Sequence, residues 1–272
     1  MCIGGLKVIT DEMIKKSKMN GTHKGFVIID DNYILIEDSK SLINVIPKTE
    51  RLRTKGVNYC GPIEYRIEDG KYYFLECRAK GHVLRYSNVS ISWNENLDVK
   101  DSYYAMFEEY MSILRLLAKA PLEQYIKFFK DIDEMRKEDL KPDICSLDNL
   151  LYDEKDGFSF IDVYPGNERI KVNDIFHIIL NNRFRASVGW GSVSILPANY
   201  KEEYFNLIES IISKILTGLK EFDYPEEEVR KFLTQKKYNF EPEEIVEKDN
   251  INSKIKRIID DNKKKRIIDI DI

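Results

Sequence analysis

Three oxygen-bearing side chains stand close together in the stretch DICSLDNLLYDEKDGFSFIDV, residues 143–163: Asp143, Asn149 and Asp162. Between the last two, short apolar runs flank Asp153-Glu154-Lys155-Asp156-Gly157, a pattern that predicts a hairpin. Asn149 stands just before the first strand. Asp162 stands near the end of the second, Phe158–Val163. A hairpin sets such ends side by side, so Asn149 and Asp162 can face one point, with Asp143 on the loop before them. Two carboxylates and an amide oxygen are hard ligands, suited to Mg²⁺ and its attached phosphates. The same residues also fit a plainer role, in which Asp162 caps a turn and Asn149 bonds nearby backbone.

The elements that must position these residues are readable from periodicity. GFVII and NYILIE flank the turn-forming Asp30-Asp31-Asn32, which predicts a hairpin over 25–37. SLINVIPK, residues 41–48, reads as a third apolar strand. IEYRI and KYYFLE flank Glu68-Asp69-Gly70-Lys71, a second hairpin with Asp-Gly in its turn. From about residue 101 the period becomes helical. Tyr103, Phe107, Tyr110, Met111, Leu114 and Leu117 share one face over 103–118. Pro121 opens a second helix over 121–136, with Leu122, Tyr125, Ile126, Phe129 and Ile132 on its apolar face. Further helices are expected near 172–182, 200–220 and 225–238.

The class is therefore α+β. A β-rich N-terminal part (1–85) and a larger, mainly helical part (86–240) carrying the hairpin are followed by a charged tail (241–272). The tail reads either as a solvated, fraying helix or as an arm packed on the domain or on a partner chain. The second reading rests on Ile255, Ile258 and Ile259 at helical spacing.

Composition narrows the partners. The 272 residues are 43% hydrophobic and 33% charged, enough to bury a core. The formal net charge of -4 makes no broad electrostatic case for nucleic acid or an anionic membrane. Cys2, Cys60, Cys77 and Cys145 show no paired spacing and read as thiols of a reducing cytoplasm. Three scattered histidines argue against a histidine metal site. No signal peptide and no run of ~20 apolar residues able to span a bilayer is expected.

The 143–163 stretch resembles the catalytic loop and metal-binding segment of the protein-kinase-like fold, above all its aminoglycoside-phosphotransferase-like, small-molecule kinase branch. DNLLYD and FSFIDV take the places of its Asn-led and Asp-ended strands, with Asn149 and Asp162 at the family's usual 13-residue separation. YYFLECRAKG, residues 72–81, resembles the last strand of the small lobe and the hinge. SLINVIPK resembles the strand with the phosphate-binding lysine. The resemblance covers roughly residues 20–235.

It implies a bilobal fold with a small antiparallel β N-lobe and a larger helical C-lobe. It also implies a phosphotransferase using Mg²⁺ with ATP or GTP. Asn149 and Asp162 would hold the metal, Asp143 would orient a hydroxyl acceptor, Lys48 would hold the α/β-phosphates, and Glu76 would lie at the hinge. The acceptor, a small molecule or a protein, is not named by any residue.

The departures are specific. Asp143 lies six residues before Asn149, one more than the family's aspartate, and Lys141-Pro142 replace its histidine motif. Asp148 is the base if the loop register shifts. Val163-Tyr164-Pro165 follow Asp162 where protein kinases have glycine. Gly21 and Gly25 are a thin substitute for a glycine-rich loop, and Glu50 or Glu64 would have to partner Lys48. These departures motivate a second function, a pseudokinase that binds nucleotide or scaffolds. A third reading is an unrelated α+β protein with a coincidental hairpin.

Single residues keep two readings each. Lys48 is a phosphate ligand or a solvated strand-end lysine. Glu76 is a hinge residue or a strand terminus. Asp174 orients the catalytic loop or is a helix N-terminal acid. Trp190 packs or lines a substrate wall.

Overall fold

The computed structural model describes residues 8–19, 26–84, 99–143, 149–180, 184, 186–188, 191–234 and 244–270. In chain order its elements are α1 (Asp11–Met19), β1 (Phe26–Ile28), β2 (Tyr33–Asp38), α2 (Ile46–Thr54), β3 (Pro62–Glu68), β4 (Lys71–Cys77), β5 (His82–Val83), α3 (Lys100–Lys119), α4 (Leu122–Lys137), β6 (Leu140–Pro142), β7 (Leu150–Asp153), β8 (Gly157–Phe160), β9 (Val163–Pro165), α5 (Val172–Leu180), β10 (Ala186–Val188), β11 (Gly191–Val193), β12 (Ile195–Pro197), α6 (Lys201–Glu221), α7 (Glu226–Thr234), β13 (Glu244–Val246) and α8 (Ile251–Ile270). This is a mixed α/β chain, mostly helical, with mainly antiparallel sheets. It divides into two compact units, Met1–Val83 with Glu123–Ile170, and Leu84–Leu122 with Lys171–Ile272.

The first unit is built on a four-stranded sheet in the order β1-β2-β4-β3, antiparallel throughout. Both expected hairpins form. The second turns through Asp69 and Gly70, with φ of 53° and 76°, the left-handed pair that a two-residue hairpin turn demands. Ile9 and Ile14 of the α1 region close over Leu35, Tyr73 and Leu75.

The expected strand over 41–48 is wrong. Residues 40–45 form a 3₁₀ turn that runs into α2. Pro47 sits in the first helical turn, where its missing N–H costs nothing. The residues buried there, Val45, Thr49 and Leu52, recur at four and three, a helical rather than an alternating period.

The hairpin of β7 and β8 packs on α4. Phe128 contacts Phe158 and Phe160 at ring-centroid distances of 5.0 and 5.4 Å, and Tyr125 contacts Phe158 at 5.2 Å. Its turn is set by Asp153 Oδ1, which accepts from the backbone N–H groups of Lys155 and Asp156, and by Gly157 at φ 77°. Residues 57–60 run beside β8: Phe160 N–H donates to Asn58 O, and Cys60 N–H to Phe160 O, both at 2.9 Å. Asn58 Nδ2 adds bonds to Asp156 O (2.6 Å) and Phe158 O (3.2 Å). Gly81, at φ 105°, lets the chain before β5 press on β7, since a Cβ there would stand 2.4 Å from Tyr152 O.

Asn58→Ala is expected to lower stability by about 1–3 kcal/mol, because both carbonyls lose a donor. Denaturant unfolding of the variant checks this, and an unchanged midpoint would refute the lacing role.

In the second unit α3 and α6 pack side by side. Tyr103, buried, donates its hydroxyl to Ile195 O at 2.7 Å and accepts from Ile195 N–H at 2.8 Å. Arg115 grips both oxygens of Glu203, at 2.6 and 3.0 Å. β13 pairs in parallel with β12, and α8 buries Ile251, Ile255 and Ile259. This is packing on the chain's own strands, with Ile258 half-buried. Asp174 lies in the first turn of α5. Gly21, Gly25, Asp148 and Trp190 lie outside the described residues.

Candidate functional site

The residues singled out in 143–163 are placed by two short ladders that meet end to end. In the first, β7 and β8 pair from Asp153↔Gly157 to Leu150↔Phe160, and one further bond runs from Ile161 N–H to Asn149 O at 3.0 Å. In the second, β6 and β9 pair with Pro142 opposite Val163, and Asp143 N–H donates to Asp162 O at 2.8 Å. The expected strand Phe158–Val163 is therefore two pieces. It stops at Phe160, and Asp162 sits where the chain leaves one partner for the other. A carboxylate is tolerated there because it is exposed at a junction and not buried within a sheet.

These ladders bring the main chains of Asp143, Asn149 and Asp162 together, and the side chains of Asp143 and Asn149 meet. Asn149 Nδ2 donates to Asp143 Oδ2 at 3.0 Å. The hydroxyl of Tyr164 donates to the same oxygen at 2.8 Å. Asp143 is half-buried, and Asn149 and Tyr164 both donate to its carboxylate. With its NH₂ turned to Asp143, the Asn149 amide presents its oxygen as the remaining acceptor.

Glu76 joins from β4, where its main chain is flanked by Ile34 and Pro62 of the neighbouring strands. The residue is only 6% exposed. Burial first, then the charges of Asp162 and Asp38, push its pKa up to about 8. Tyr59 is buried nearby. Its phenol is pushed well up by burial and then by Glu76 and Asp162, while a hydrogen bond with Thr49 acts the other way.

Lys48 is not brought to this group. It sits on α2 with Nζ 3.5 Å from Asp139 O, and among the described residues neither Glu50 nor Glu64 pairs with it. A cleft of about 50 Å³ on the same unit is lined by Arg53, Arg78, Lys80 and Ser159, among others, and not by Asp143, Asn149 or Asp162.

The donor set suits Mg²⁺. Glu76 is a buried carboxyl to which no described side chain hydrogen-bonds, standing in the field of Asp162. Burial and that field keep the carboxyl protonated, and a cation placed beside it would favour its ionised, ligating form. Among the described residues no three His, Cys, Asp or Glu side chains form a closed metal cage. Mg²⁺ commonly takes only one or two protein carboxylates and keeps water and phosphate oxygens as its other ligands.

Tyr164 and Tyr59 were not picked out as site residues from sequence. For Tyr164 a signal existed: on extended chain, residues two apart share a side, which sets Tyr164 with Asp162. For Tyr59, which precedes β3 and meets Phe160 only across a bridge, there was none.

No family model and no curated protein matches the chain. A solved structure of the Cydia pomonella granulovirus kinase PK-1 is similar over 56% of this chain and 48% of that chain, at 15% identity and a TM-score of 0.29. This chain thus spans about half the length of the one it matches. At that TM-score the likeness carries neither fold nor activity across.

Proposed function

We propose that this chain is a Mg²⁺-dependent phosphotransferase that moves the γ-phosphate of ATP or GTP to a hydroxyl group. Its fold would be of the bilobal, protein-kinase-like type that the 143–163 stretch resembles. The observation that carries the reading is the meeting of Asp143, Asn149 and Asp162 at the junction of two ladders. Asn149 Oδ1 and the exposed Asp162 carboxylate would hold Mg²⁺, which when bound neutralises charge on the phosphates. Asp143 orients the acceptor hydroxyl and takes up its proton, and Asn149 Nδ2 fixes that carboxylate for the task. Glu76 acts through its carboxyl rather than its main chain, which lies between two strands. Lys48, on α2 at Asp139, is given no part.

A second reading, a pseudokinase that binds nucleotide without turnover, is favoured by the position of Lys48 and by the hydroxyl of Tyr164 already lying on Asp143. Both readings require nucleotide binding that depends on divalent metal. Calorimetric titration of ATP and of GTP is expected to show binding with Mg²⁺ and at least a tenfold loss with chelator, about 1.4 kcal/mol. Equal affinities in both buffers would remove the metal ligands assigned here. Transfer to an added hydroxyl compound then separates enzyme from pseudokinase.

A further inference from the structure

We propose that Tyr164 is itself a phosphate acceptor of this site, phosphorylated within its own chain through Asp143. The inference rests on the phosphotransferase reading and names an acceptor for it. Tyr164 lies on β9 opposite Lys141 of β6, so strand pairing sets its ring beside the start of the Asp143 loop. Its hydroxyl donates to Asp143 Oδ2 at 2.8 Å, within the reach required of a general base and its acceptor. Asn149 Nδ2 holds the same oxygen from another direction, which fixes the carboxylate. In that contact the phenol is the donor and the carboxylate the acceptor, the direction in which a general base takes a proton. Tyr164 is 53% exposed, so it can be approached from solvent.

The step balances. The bond from Tyr164 Oη to the γ-phosphorus forms, and the bond from that phosphorus to the oxygen bridging to the β-phosphate breaks. The nucleoside diphosphate departs with that electron pair, and the phenolic proton passes to Asp143. Once Asp143 has released that proton to solvent, the product ester has no hydroxyl proton for it and carries negative charge beside its carboxylate, so the two groups repel. Phosphorylation therefore frees Asp143 for a second, external hydroxyl.

The test uses the full chain with Mg²⁺ and γ-labelled ATP or GTP, and locates phosphate by tandem mass spectrometry. Phosphate is expected at Tyr164, with a rate constant unchanged across a dilution series of the protein. It should vanish in Tyr164→Phe and form about 10²-fold more slowly or less in Asp143→Asn. A second readout needs neither metal nor nucleotide. With 3-fluorotyrosine at position 164, Asp143→Asn should shift the fluorine resonance, and an unmoved resonance would overturn the contact.

Tyr164 left unphosphorylated while Mg²⁺-dependent nucleotide binding persists would overturn this inference alone. A rate constant that rises with protein concentration would overturn the intrachain route. Loss of Mg²⁺-dependent binding would overturn the phosphotransferase reading and this inference with it.

Discussion

Asp162→Asn is expected to abolish phosphotransfer, while Asp143→Asn slows it by about 10²–10⁴-fold and leaves Mg²⁺-dependent nucleotide binding nearly intact. The two aspartates are joined through the backbone, Asp143 N–H to Asp162 O, but their side chains face different partners. Asp143 is gripped by Asn149 and Tyr164, the arrangement of a group that positions a hydroxyl. Asp162 is exposed and in the field of the buried Glu76. A neutral amide at 162 keeps the size but not the charge needed to hold Mg²⁺ against the phosphates. Single-turnover rates beside calorimetric affinities separate the roles. Unchanged transfer in both Asp143→Asn and Asp148→Asn would remove the base assignment.

In metal-free buffer the protein is expected to lose stability as pH rises from about 4.5 toward 8, by at most roughly 1.4 kcal/mol per pH unit, and Glu76→Gln should remove most of that slope. The sign follows from proton counts. The folded state holds the Glu76 proton up to about pH 8, because burial and the charges of Asp162 and Asp38 oppose ionisation. The unfolded chain releases it near the ordinary carboxyl value. In that window the native state binds more protons than the unfolded state, so raising the pH favours unfolding. Above the folded value the slope ends. Glutamine keeps the buried polar shape without the ionisation. Denaturant midpoints from pH 5 to 9 for both proteins decide the matter, and parallel profiles would mean that Glu76 is not the group responsible. Added Mg²⁺ should lessen the loss in the wild type, because a cation favours the ionised form.

Much of this chain was legible residue by residue. The two N-terminal hairpins followed from turn chemistry, Asp30-Asp31-Asn32 and Asp69-Gly70, where the residue types themselves specify the backbone. The helices α3, α4 and α6 followed from apolar residues at three and four, because one face of each had to be buried. That the main chains of Asn149 and Asp162 lie near each other followed from the hairpin, since its ends must meet whatever surrounds them, while Asp143 is placed by the β6–β9 ladder.

Sequence alone could not decide SLINVIPK, where an apolar run of that length fits strand or helix. Burial of Val45, Thr49 and Leu52 on one side chose the helix and carried Lys48 away from the site. Nor could it place Glu76 in a buried field beside Asp162, set Tyr59 next to both, or aim the Tyr164 hydroxyl at Asp143. These groupings join residues from 17 to 103 positions apart in the chain. Turns and helices are selected by interactions within a few residues, so they can be read locally. Contacts across such separations exist only after sheets and ladders have paired, and that pairing is a property of the folded chain as a whole.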